Sequence, residues 1–360
     1  MNRYPGRLAI QQRVLPIYRA PFFDLLASSC DGGMSLFTGL PRPSEGIATT
    51  DRLQVANYRM GKNIHLFGGS LYACRQRGLI DWLEEWNPDA LIVEANPRCI
   101  STPSAVKWMH HRDRPVFGWG LGAPRVSGFR EKRWVSFLRQ FDAMICYSQR
   151  GADEYASHGF SLDHLFVAHN AVSPPPAWDM PVRPEPFHER PVILFVGRLQ
   201  FRKNVDLLLG ACAEIQNVRL IIVGDGPERD ALEELAQEIF PSAEFVGSKH
   251  GDELKPYFAE ADLFVLPGTG GLAVQEAMSH GLPVIVAQGD GTQDDLVRKE
   301  NGWRIPPDDF DALVSTMREA LSDARLLRRL GAESYRIVKE EINIENMADI
   351  FVRALNAIQA

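Results

Sequence analysis

Cysteine is scarce and irregularly spaced in this chain of 360 residues. Its five cysteines lie singly along the chain, at Cys30, Cys74, Cys99, Cys146 and Cys212. The absence of any C-x-x-C spacing argues against both a disulfide framework and a zinc site. No apolar run approaches the roughly 18 residues of a membrane span, and the first residues, MNRYPGRLAIQQRVLP, lack the apolar core of a signal peptide. We therefore expect a cytoplasmic protein.

An excess of positive charge is also lacking. The net charge of −7 argues against a general nucleic-acid binder, because affinity for a phosphate backbone depends on surplus Lys and Arg. One stretch departs from this balance, with Lys107, Arg112, Arg114, Arg125, Arg130, Lys132, Arg133 and Arg139 opposed only by Asp113 and Glu131. This stretch is either a solvated helix face or a contact with an anionic surface, which would place the protein peripherally on the inner face of a membrane.

No biased tract indicates disorder, and the length favours two domains. Short apolar runs alternate with amphipathic stretches, a pattern typical of βαβ units with a parallel sheet. The clearest of these runs are DALIVEA, PVFGWG and FDAMICYS in the first half, and VILFVG, VRLIIVG, ADLFVLP and PVIVA in the second. The pattern predicts an α/β fold with a parallel sheet in each half.

A proline-rich segment, SPPPAWDMPVRPEPFHERP at residues 173–191, separates the two halves. Proline fixes φ and removes a hydrogen-bond donor, so we interpret this segment as a semi-rigid linker. The expected organisation is a first domain at residues 1–175, a linker at 176–190, a second domain at 191–340, and a last helix at 341–360. We expect that helix to cross back and pack on the first domain.

The clearest candidate site begins where a buried strand runs into a polar turn, in FVGRLQFRKNVDLLL. Gly197 ends the strand, Arg198 and Lys203 follow, and apolar periodicity then opens a helix. A helix N-terminus beside two cations favours a diphosphate. The alternative is a pair of surface cations at a helix start.

A second glycine-rich strand end, VGDGPERDALEEL, places Gly224 and Gly226 before another helix. Ligands of open parallel sheets bind beyond the carboxyl ends of the strands, so both loops are expected to border one crevice. The spacing is not G-x-G-x-x-G, which removes the main support for a dinucleotide-dependent oxidoreductase.

A third loop lies in LPGTGGLAVQEAMSHGLPVIVAQGDGTQDDL. Its glycines permit close backbone approach, and the N–H groups at the following helix start are candidates to bind phosphate or sugar hydroxyls. Glu276 lies about one turn into that helix, where a carboxylate can accept from ribose hydroxyls or simply compensate the helix dipole. The candidate donor-binding residues of this loop are Gly270, Gly271, Leu272, Ala273 and Glu276.

The segments GRLQFRKN, GDGP and GGLAVQEAMSHGLPVI resemble glycosyltransferase family 4, the retaining GT-B enzymes, most densely from Val192 to Val297. RVLPIYRAPFFD, in the first half, resembles the opening of some bacterial polysaccharide-assembly members. The resemblance implies two Rossmann-like domains with parallel sheets facing a central cleft, an NDP-sugar donor in the second domain and an acceptor in the first.

The resemblance also implies roles for individual residues. It implies Arg198 and Lys203 on the diphosphate as catalytic cations, Glu276 on the ribose, and the Phe245–Lys249 turn near the base. The expected donor site therefore comprises Gly197, Gly224, Gly226, Val246, Gly247 and Ser248 together with the third loop. The candidates for the acceptor site or cleft are Arg19, Trp119, Arg125 and His169.

Two positions depart from the family pattern. Its two glutamates are separated by seven residues, and the position eight before Glu276 is Gly268. Because Gly268 has no side chain, a carboxylate that would contact the donor sugar is missing. In the family a histidine often follows the strand that here reads PVFGWGLG, and Leu121 aligns with that histidine.

The function expected from these observations is a retaining, metal-independent hexosyl transfer from an NDP-sugar, most simply UDP or GDP, to a glycan, lipid-linked or small-molecule acceptor. No cofactor is expected, since the NDP-sugar is a substrate. The alternatives are an inactive sugar-nucleotide-binding subunit or scaffold, and a nucleotide-sugar epimerase on the same architecture. Fold alone does not separate these functions.

Overall fold

A computed structural model of the chain describes residues 2–123, 128–185, 187, 189–270, 272–289 and 291–358. The chain divides into two compact units, each with its own sheet. The first unit comprises residues 1–172 together with 344–360, and the second comprises residues 173–343.

The first unit is built on a seven-stranded parallel sheet in the order β3-β2-β1-β6-β7-β8-β9. Its central strands are buried on both faces, which explains their nearly continuous apolar sequences. The strands of this sheet are β1 (Leu8–Gln11), β2 (Met34–Thr38), β3 (Asn57–Met60), β6 (Ala90–Glu94), β7 (Val116–Gly120), β8 (Ala143–Cys146) and β9 (Leu165–Val167).

The described part of this unit also contains an antiparallel hairpin, six α-helices and four short 3-10 helices. The hairpin pairs β4 (Lys62–Leu66) with β5 (Ala73–Arg77). The helices are α1 (Ala20–Ser28), α2 (Leu79–Trp86), α3 (Thr102–His110), α4 (Phe129–Leu138), α5 (Gln149–Ser157) and α13 (Ile344–Ala357).

The C-terminal helix α13 packs in the first unit, against α1, β8 and β9. The Phe351 ring lies 5.1 Å from the ring of Phe22 and 5.0 Å from that of Trp119, both edge-on. All three side chains are almost fully buried. Aromatic burial therefore holds the end of the chain against its beginning.

The second unit has a six-stranded parallel sheet in the order β12-β11-β10-β13-β14-β15. Its strands are β10 (Val192–Val196), β11 (Arg219–Val223), β12 (Glu244–Gly247), β13 (Leu263–Leu266), β14 (Val284–Ala287) and β15 (Gly302–Ile305). The helices of its described part are α6 (Val205–Ile215), α7 (Arg229–Ile239), α8 (Lys255–Glu260), α9 (Leu272–Ser279), α10 (Thr292–Leu296), α11 (Phe310–Leu321) and α12 (Ala324–Glu340).

The proline-rich segment expected to be a linker is instead part of the second unit. Arg183 donates to the carbonyls of Ala261, Phe258 and Gly281 at 2.8, 2.8 and 3.1 Å. Trp178 lies over His280, with ring centroids 5.1 Å apart. Prolines keep this segment out of the sheet, but its side chains bind it to the unit.

Each sheet reverses its strand order at one point, between β1 and β6 in the first unit and between β10 and β13 in the second. Such switch points open crevices beyond the carboxyl ends of the strands. In the second unit, Arg198 follows β10 and Gly268 follows β13. The expected donor loops therefore meet at the switch point of their sheet.

Close packing of α12 on the neighbouring backbone predicts a stability effect at Gly331. A Cβ at this position would lie 2.1 Å from the carbonyl oxygen of Gly281. Alanine gains about 1 kcal/mol of helix propensity, but overpacking against a rigid backbone costs about 1–3 kcal/mol. We expect Gly331→Ala to lower the calorimetric Tm of the second unit by about 2–4 °C.

Gly68→Ala is the matched control, because Gly68 is extended and no atom lies within 4 Å of an added Cβ. It should leave the Tm unchanged. An unchanged or higher Tm for Gly331→Ala would contradict the packing argument.

Candidate functional site

The loop after β10 carries an unpaired cation at the switch point of the second unit. Arg198 is exposed, and no described residue supplies it with a carboxylate or hydrogen-bond acceptor. It directly follows Gly197, which lies beyond the last residue of β10. A free guanidinium at the carboxyl edge of a sheet is suited to bind an anion bidentately.

Lys203, the second expected cation, is buried rather than exposed. Only 5% of its surface is accessible, and its Nζ donates to the carbonyl oxygens of Thr269 and Gly270, both at 2.9 Å. Burial, together with the neighbouring Arg202 charge, lowers the pKa of Lys203 to about 8. An ammonium group has three donors, so one remains for a ligand.

Further hydrogen bonds join the loop after β10 to the loop after β13. Arg202 donates from its guanidinium to the Thr269 carbonyl at 3.0 Å, and its own carbonyl accepts from the Thr269 N–H at 3.0 Å. Asn204, which has a left-handed φ of 52°, donates to the Asp308 carboxylate at 2.7 Å. The two loops thus form one preorganised body.

Gly268 lies where this body leaves no room for a side chain. An added Cβ would be 2.2 Å from the carbonyl oxygen of Arg202 and 2.5 Å from the Cα of Lys203. The glutamate of the family pattern cannot occupy this position unless the backbone of the cation loop shifts. The glycine and the buried lysine are therefore parts of the same local packing.

The glycines after β11 also allow two loops, those after β10 and β11, to approach each other closely. A Cβ on Gly224 would lie 1.9 Å from the Gly197 carbonyl oxygen, and one on Gly226 would lie 2.1 Å from that of Leu199. The Leu199 N–H donates to the Asp225 carbonyl at 2.9 Å. These glycines let the loops after β10 and β11 pack backbone to backbone.

The segment expected as a turn near the base is mostly strand. Val246 and Gly247 belong to β12, and only Ser248 and Lys249 follow it. The Gly247 carbonyl accepts from the Gly224 N–H at 2.9 Å, so this strand end joins the same edge of the sheet. Ser248 is exposed there.

Glu276 lies in α9 with a half-buried carboxylate. Its side chain has no hydrogen-bond or ion-pair partner in the described part of the chain. Burial alone raises the pKa of this carboxyl above its usual value. An unpaired, partly desolvated acceptor of this kind is expected to bind hydroxyl donors.

The remaining residues of the third loop surround the start of α9. Gly270 has a φ of 70°, and an added Cβ would lie 3.2 Å from the Arg202 guanidinium. Leu272 begins the helix and is 38% exposed, and Ala273 follows it. Gly271 lies outside the described residues.

A cavity of about 120 Å³ opens at the switch point of the first unit. Its lining comes from the ends of β1, β6, β7 and β8 and from the start of α1. The lining residues are Gln12, Arg13, Val14, Pro16, Tyr18, Arg19, Phe23, Glu94, Trp119 and Tyr147. Two of the expected acceptor residues, Arg19 and Trp119, are therefore brought together.

Arg19 is 6% exposed and lies among aromatic rings. Its guanidinium carbon is 5.6 Å from the Trp119 ring and 5.9 Å from the Tyr147 ring. It donates to the Ala171 carbonyl at 2.8 Å and to the Asn170 side chain. Within the described chain this buried cation has neutral partners and no carboxylate.

Trp119 is 2% exposed, and its indole N–H has no hydrogen-bond partner among the described residues. The side-chain amide nitrogen of Gln12, another lining residue, is likewise unpaired there. Buried polar atoms normally have partners. Both donors belong to residues that line the cavity, but the two nitrogen atoms themselves are fully buried.

Of the other first-unit candidates that the structure describes, His169 is not among the residues that line this cavity. His169 is half-buried and follows β9, and Leu121 is 48% exposed after β7. Arg125 lies outside the described residues. Among the described candidates, the structure thus brings Arg19 and Trp119 together in the lining of this cavity.

Several residues of both sites were missed from sequence. Arg202 and Asn204 were not predicted because the sequence analysis assigned the site to Arg198 and Lys203, the two cations that precede the helix. Glu94 and Tyr147 lie at or just beyond the ends of β6 and β8, and a polar residue closing an apolar strand is the signal that could have identified them.

The described residues contain neither a candidate membrane-spanning helix nor a cluster of metal-ligating side chains. None of their helices combines the length and apolar character required to cross a membrane. Within the same residues, no group of three or more His, Cys, Asp or Glu side chains is arranged to hold a metal ion.

Comparisons with known proteins agree with this geometry. Residues 178–337 match the sequence model of the family described as glycosyl transferases group 1. The chain is 34% identical over 284 residues to a GDP-mannose-dependent alpha-mannosyltransferase of Corynebacterium glutamicum, covering 72% of this chain and 65% of that protein. It is 34% identical over 149 residues to the sulfoquinovosyl transferase SQD2 of Arabidopsis thaliana, covering 40% and 29%.

The matched segments therefore span less than two thirds of either relative. Among solved structures, HepE of Anabaena in complex with UDP superposes with a TM-score of 0.72 at 16% identity, covering 99% of this chain and 100% of HepE. The expected architecture of two Rossmann-like parallel-sheet units is confirmed, as is the resemblance to GT-B glycosyltransferases.

The buried Lys203 predicts a pH dependence of stability. Its pKa is about 8 in the folded chain, against an ordinary value near 10.4 when unfolded. Between these values the unfolded chain binds more protons, so the unfolding free energy should rise with pH, by at most about 1.4 kcal/mol per unit. We expect Lys203→Met to remove this rise in urea unfolding between pH 8 and 10.

Lys299→Met is the matched control, because Lys299 is an exposed lysine of the same unit. It should keep the pH slope of the native chain. Identical slopes for the native chain and Lys203→Met would contradict the buried-ammonium assignment.

Proposed function

We propose that this chain, whose residues 178–337 match the sequence model of the glycosyl transferases group 1 family, is a retaining, metal-independent glycosyltransferase. It would move a sugar from an NDP-sugar to a glycan, lipid-linked or small-molecule acceptor in polysaccharide or glycoconjugate biosynthesis. The main observation behind this proposal lies at the switch point of the second unit, where Lys203 is hydrogen-bonded to the glycine-rich loop and Arg198 lies in the same loop as Lys203.

The donor is proposed to be a UDP- or GDP-sugar. The name of the Corynebacterium relative specifies GDP-mannose, and HepE binds UDP in its solved complex. In either case the shared chemistry is a nucleoside diphosphate, which fits a site made of cations and backbone N–H groups. Glu276, a half-buried acceptor without a partner in the described chain, is suited to the ribose hydroxyls.

The proposed transfer places most of the chemical demand on the leaving group. The bond between the sugar's anomeric carbon and the diphosphate oxygen breaks, and its electron pair goes to that oxygen. An acceptor hydroxyl oxygen attacks the same face, and its proton passes to the departing diphosphate. Arg198 and the remaining Lys203 donor would stabilise the negative charge that develops there, from positions fixed before reaction.

The missing carboxylate at Gly268 changes how the donor sugar is held. Because the backbone of Arg202 and Lys203 fills this space, no side chain from position 268 can contact the sugar. The first-turn N–H groups of α9 remain as candidates for its hydroxyls. The proposal therefore assigns sugar binding mainly to backbone atoms.

The 120 Å³ cavity of the first unit is proposed to bind acceptor hydroxyls. Arg13 is paired with Glu45 at 2.8 Å, which leaves Arg19 and Glu94 as the opposite charges of the lining. They form no ion pair within 4 Å of each other in the described chain. A hydroxyl both donates and accepts, so it can bind the Glu94 carboxylate and the Arg19 guanidinium together.

Donor turnover tests the proposal. Incubation of the native chain with UDP-, GDP-, ADP- and TDP-sugars should give slow hydrolysis of one donor class. Arg198→Ala and Lys203→Ala should each reduce that turnover by about 10²–10³, the usual effect of removing one charge-stabilising group. The measurement is release of the nucleoside diphosphate.

Lys299→Ala, which removes an exposed cation of the same unit, should retain full turnover. Nucleotide binding without any donor turnover would favour the inactive subunit or scaffold, and an altered sugar on an intact NDP-sugar would favour the epimerase. Unchanged turnover in both Arg198→Ala and Lys203→Ala would reject the assigned roles.

A peripheral membrane contact is proposed for helix α4. Arg130, Lys132 and Arg133 are exposed and have no carboxylate partner in the described chain, whereas Trp134 and Leu138 are buried in the first unit. The apolar face of the helix is thus occupied by the core. Attachment to a lipid surface would be electrostatic, without insertion.

Vesicle co-sedimentation measures this contact. Binding to vesicles rich in anionic lipid should be strong at low ionic strength and fade as salt rises. Arg130→Gln with Arg133→Gln should weaken it by about 2 kcal/mol, since each cation near the surface contributes about 1 kcal/mol. Arg325→Gln, an exposed arginine of the second unit, is the control; indifference to anionic vesicles at low salt would reject the proposal.

A further inference from the structure

The β4–β5 hairpin carries three cations on one face. Arg75 and Arg77 are alternate, exposed residues of β5, so their side chains leave the strand on the same side. Lys62, the first residue of β4, lies directly opposite Arg77 in the antiparallel register and is also exposed. Both residues of this cross-strand pair are therefore positively charged.

These three cations lack charge partners within the described chain. No carboxylate lies within 4 Å of any of them, and none makes a side-chain hydrogen bond there. Like charges directly opposite each other destabilise a strand pair. The chain as a whole has more acidic than basic residues, yet none of its described carboxylates pairs with this cluster. The cluster is therefore suited to bind an anionic ligand.

The strand that presents the two arginines is held firmly. Cys74 and Gln76, the residues preceding each arginine, are 0% and 5% exposed. The Gln76 side-chain amide donates to the Gln12 carbonyl at 3.1 Å, and its backbone N–H donates to Ser101 Oγ at 2.8 Å. A preorganised strand lowers the entropic cost of binding by Arg75 and Arg77.

The arginines line a cavity of about 400 Å³ in the first unit, here called the Arg75–Arg77 cavity. The hydroxyl-bearing residues Ser101 and Ser104 also line it, as does Asp81, its one acidic lining residue. Ser101 and Ser104 lie at the start of α3, the helix that follows β6. This volume accommodates a monosaccharide.

We propose that the Arg75–Arg77 cavity binds the oxyanion of an acidic saccharide, a phosphate monoester or a sugar carboxylate carried by the acceptor. The two guanidinium groups provide bidentate, charge-assisted hydrogen bonds to the oxyanion, and the serine hydroxyls bind the saccharide beside it. Naming the ligand as the acceptor rests on the proposed function, whereas the oxyanion site itself does not.

Calorimetric titration of the full chain tests the site. The ligands are glucose 6-phosphate, glucuronate, neutral glucose and inorganic phosphate, at low ionic strength. At least one acidic sugar should bind about tenfold or more tightly than glucose, the equivalent of one charge-assisted hydrogen bond. Comparison of the phosphate and carboxylate sugars identifies which oxyanion is preferred.

The double variant Arg75→Gln with Arg77→Gln should lose about tenfold or more of that affinity. Arg75→Lys with Arg77→Lys should recover part of it, since charge is kept and the planar fork is lost. Arg59→Gln is the matched control: Arg59 is an exposed strand arginine of the same unit, paired with Glu85 at 3.2 Å. It should bind as the native chain does.

Unchanged affinity in the glutamine double variant overturns the proposal, as does equal binding of glucose and both acidic sugars. Donor turnover is measured separately. Oxyanion binding that depends on Arg75 and Arg77 in a chain without donor turnover would support the site and reject the transferase. Donor turnover in a chain that does not bind the oxyanion through Arg75 and Arg77 would support the transferase and reject the oxyanion site.

Discussion

A buried ammonium group organises the edge of the second unit. Lys203 is removed from water and bound to the carbonyls of Thr269 and Gly270, at a cost in desolvation that lowers its pKa. Carbonyl dipoles compensate the charge only while the glycine-rich loop keeps its shape. The loop is also held by Arg202, which donates to the same Thr269 carbonyl, and by Asn204, which donates to the Pro267 carbonyl. The site is therefore rigid and positively charged before any ligand arrives.

This packing also explains why the loops contain so many glycines. Gly268 faces the backbone of Arg202 and Lys203, while Gly224 and Gly226 face the carbonyls of Gly197 and Leu199. In each case a Cβ would lie 2.2 Å or less from a backbone oxygen. The carboxylate of the family pattern and the close contact at Gly268 exclude each other, so the glycine accompanies closely packed loops rather than an empty position.

The elements of the fold were largely predictable, because parallel strands buried on both faces leave continuous apolar runs such as VILFV and LFVL. The position of Arg198 after β10 followed from the same reasoning. The burial of Lys203 did not, since a lysine beside a helix start is usually solvated, and only the fold brings the Thr269 and Gly270 carbonyls to it. The proline-rich segment was misjudged because composition shows that it avoids a sheet but not that Arg183 binds it to three carbonyls.

The cations of the described chain separate into two groups with different consequences. The first group is bound to carboxylates or carbonyls of its own unit and comprises Arg183, Arg219 and Arg328. These guanidinium groups contribute to the packing of the fold and are not available to bind a ligand. Arg198, Arg75 and Arg77 are exposed and have no such partners within the described residues. Free arginines contribute little to stability, and a planar guanidinium matches phosphate and carboxylate geometry. Arg198 follows β10 at the carboxyl edge of its sheet, where open parallel sheets bind ligands, and Arg75 and Arg77 line a cavity with the start of α3. The charge distribution therefore favours anionic ligands in both units.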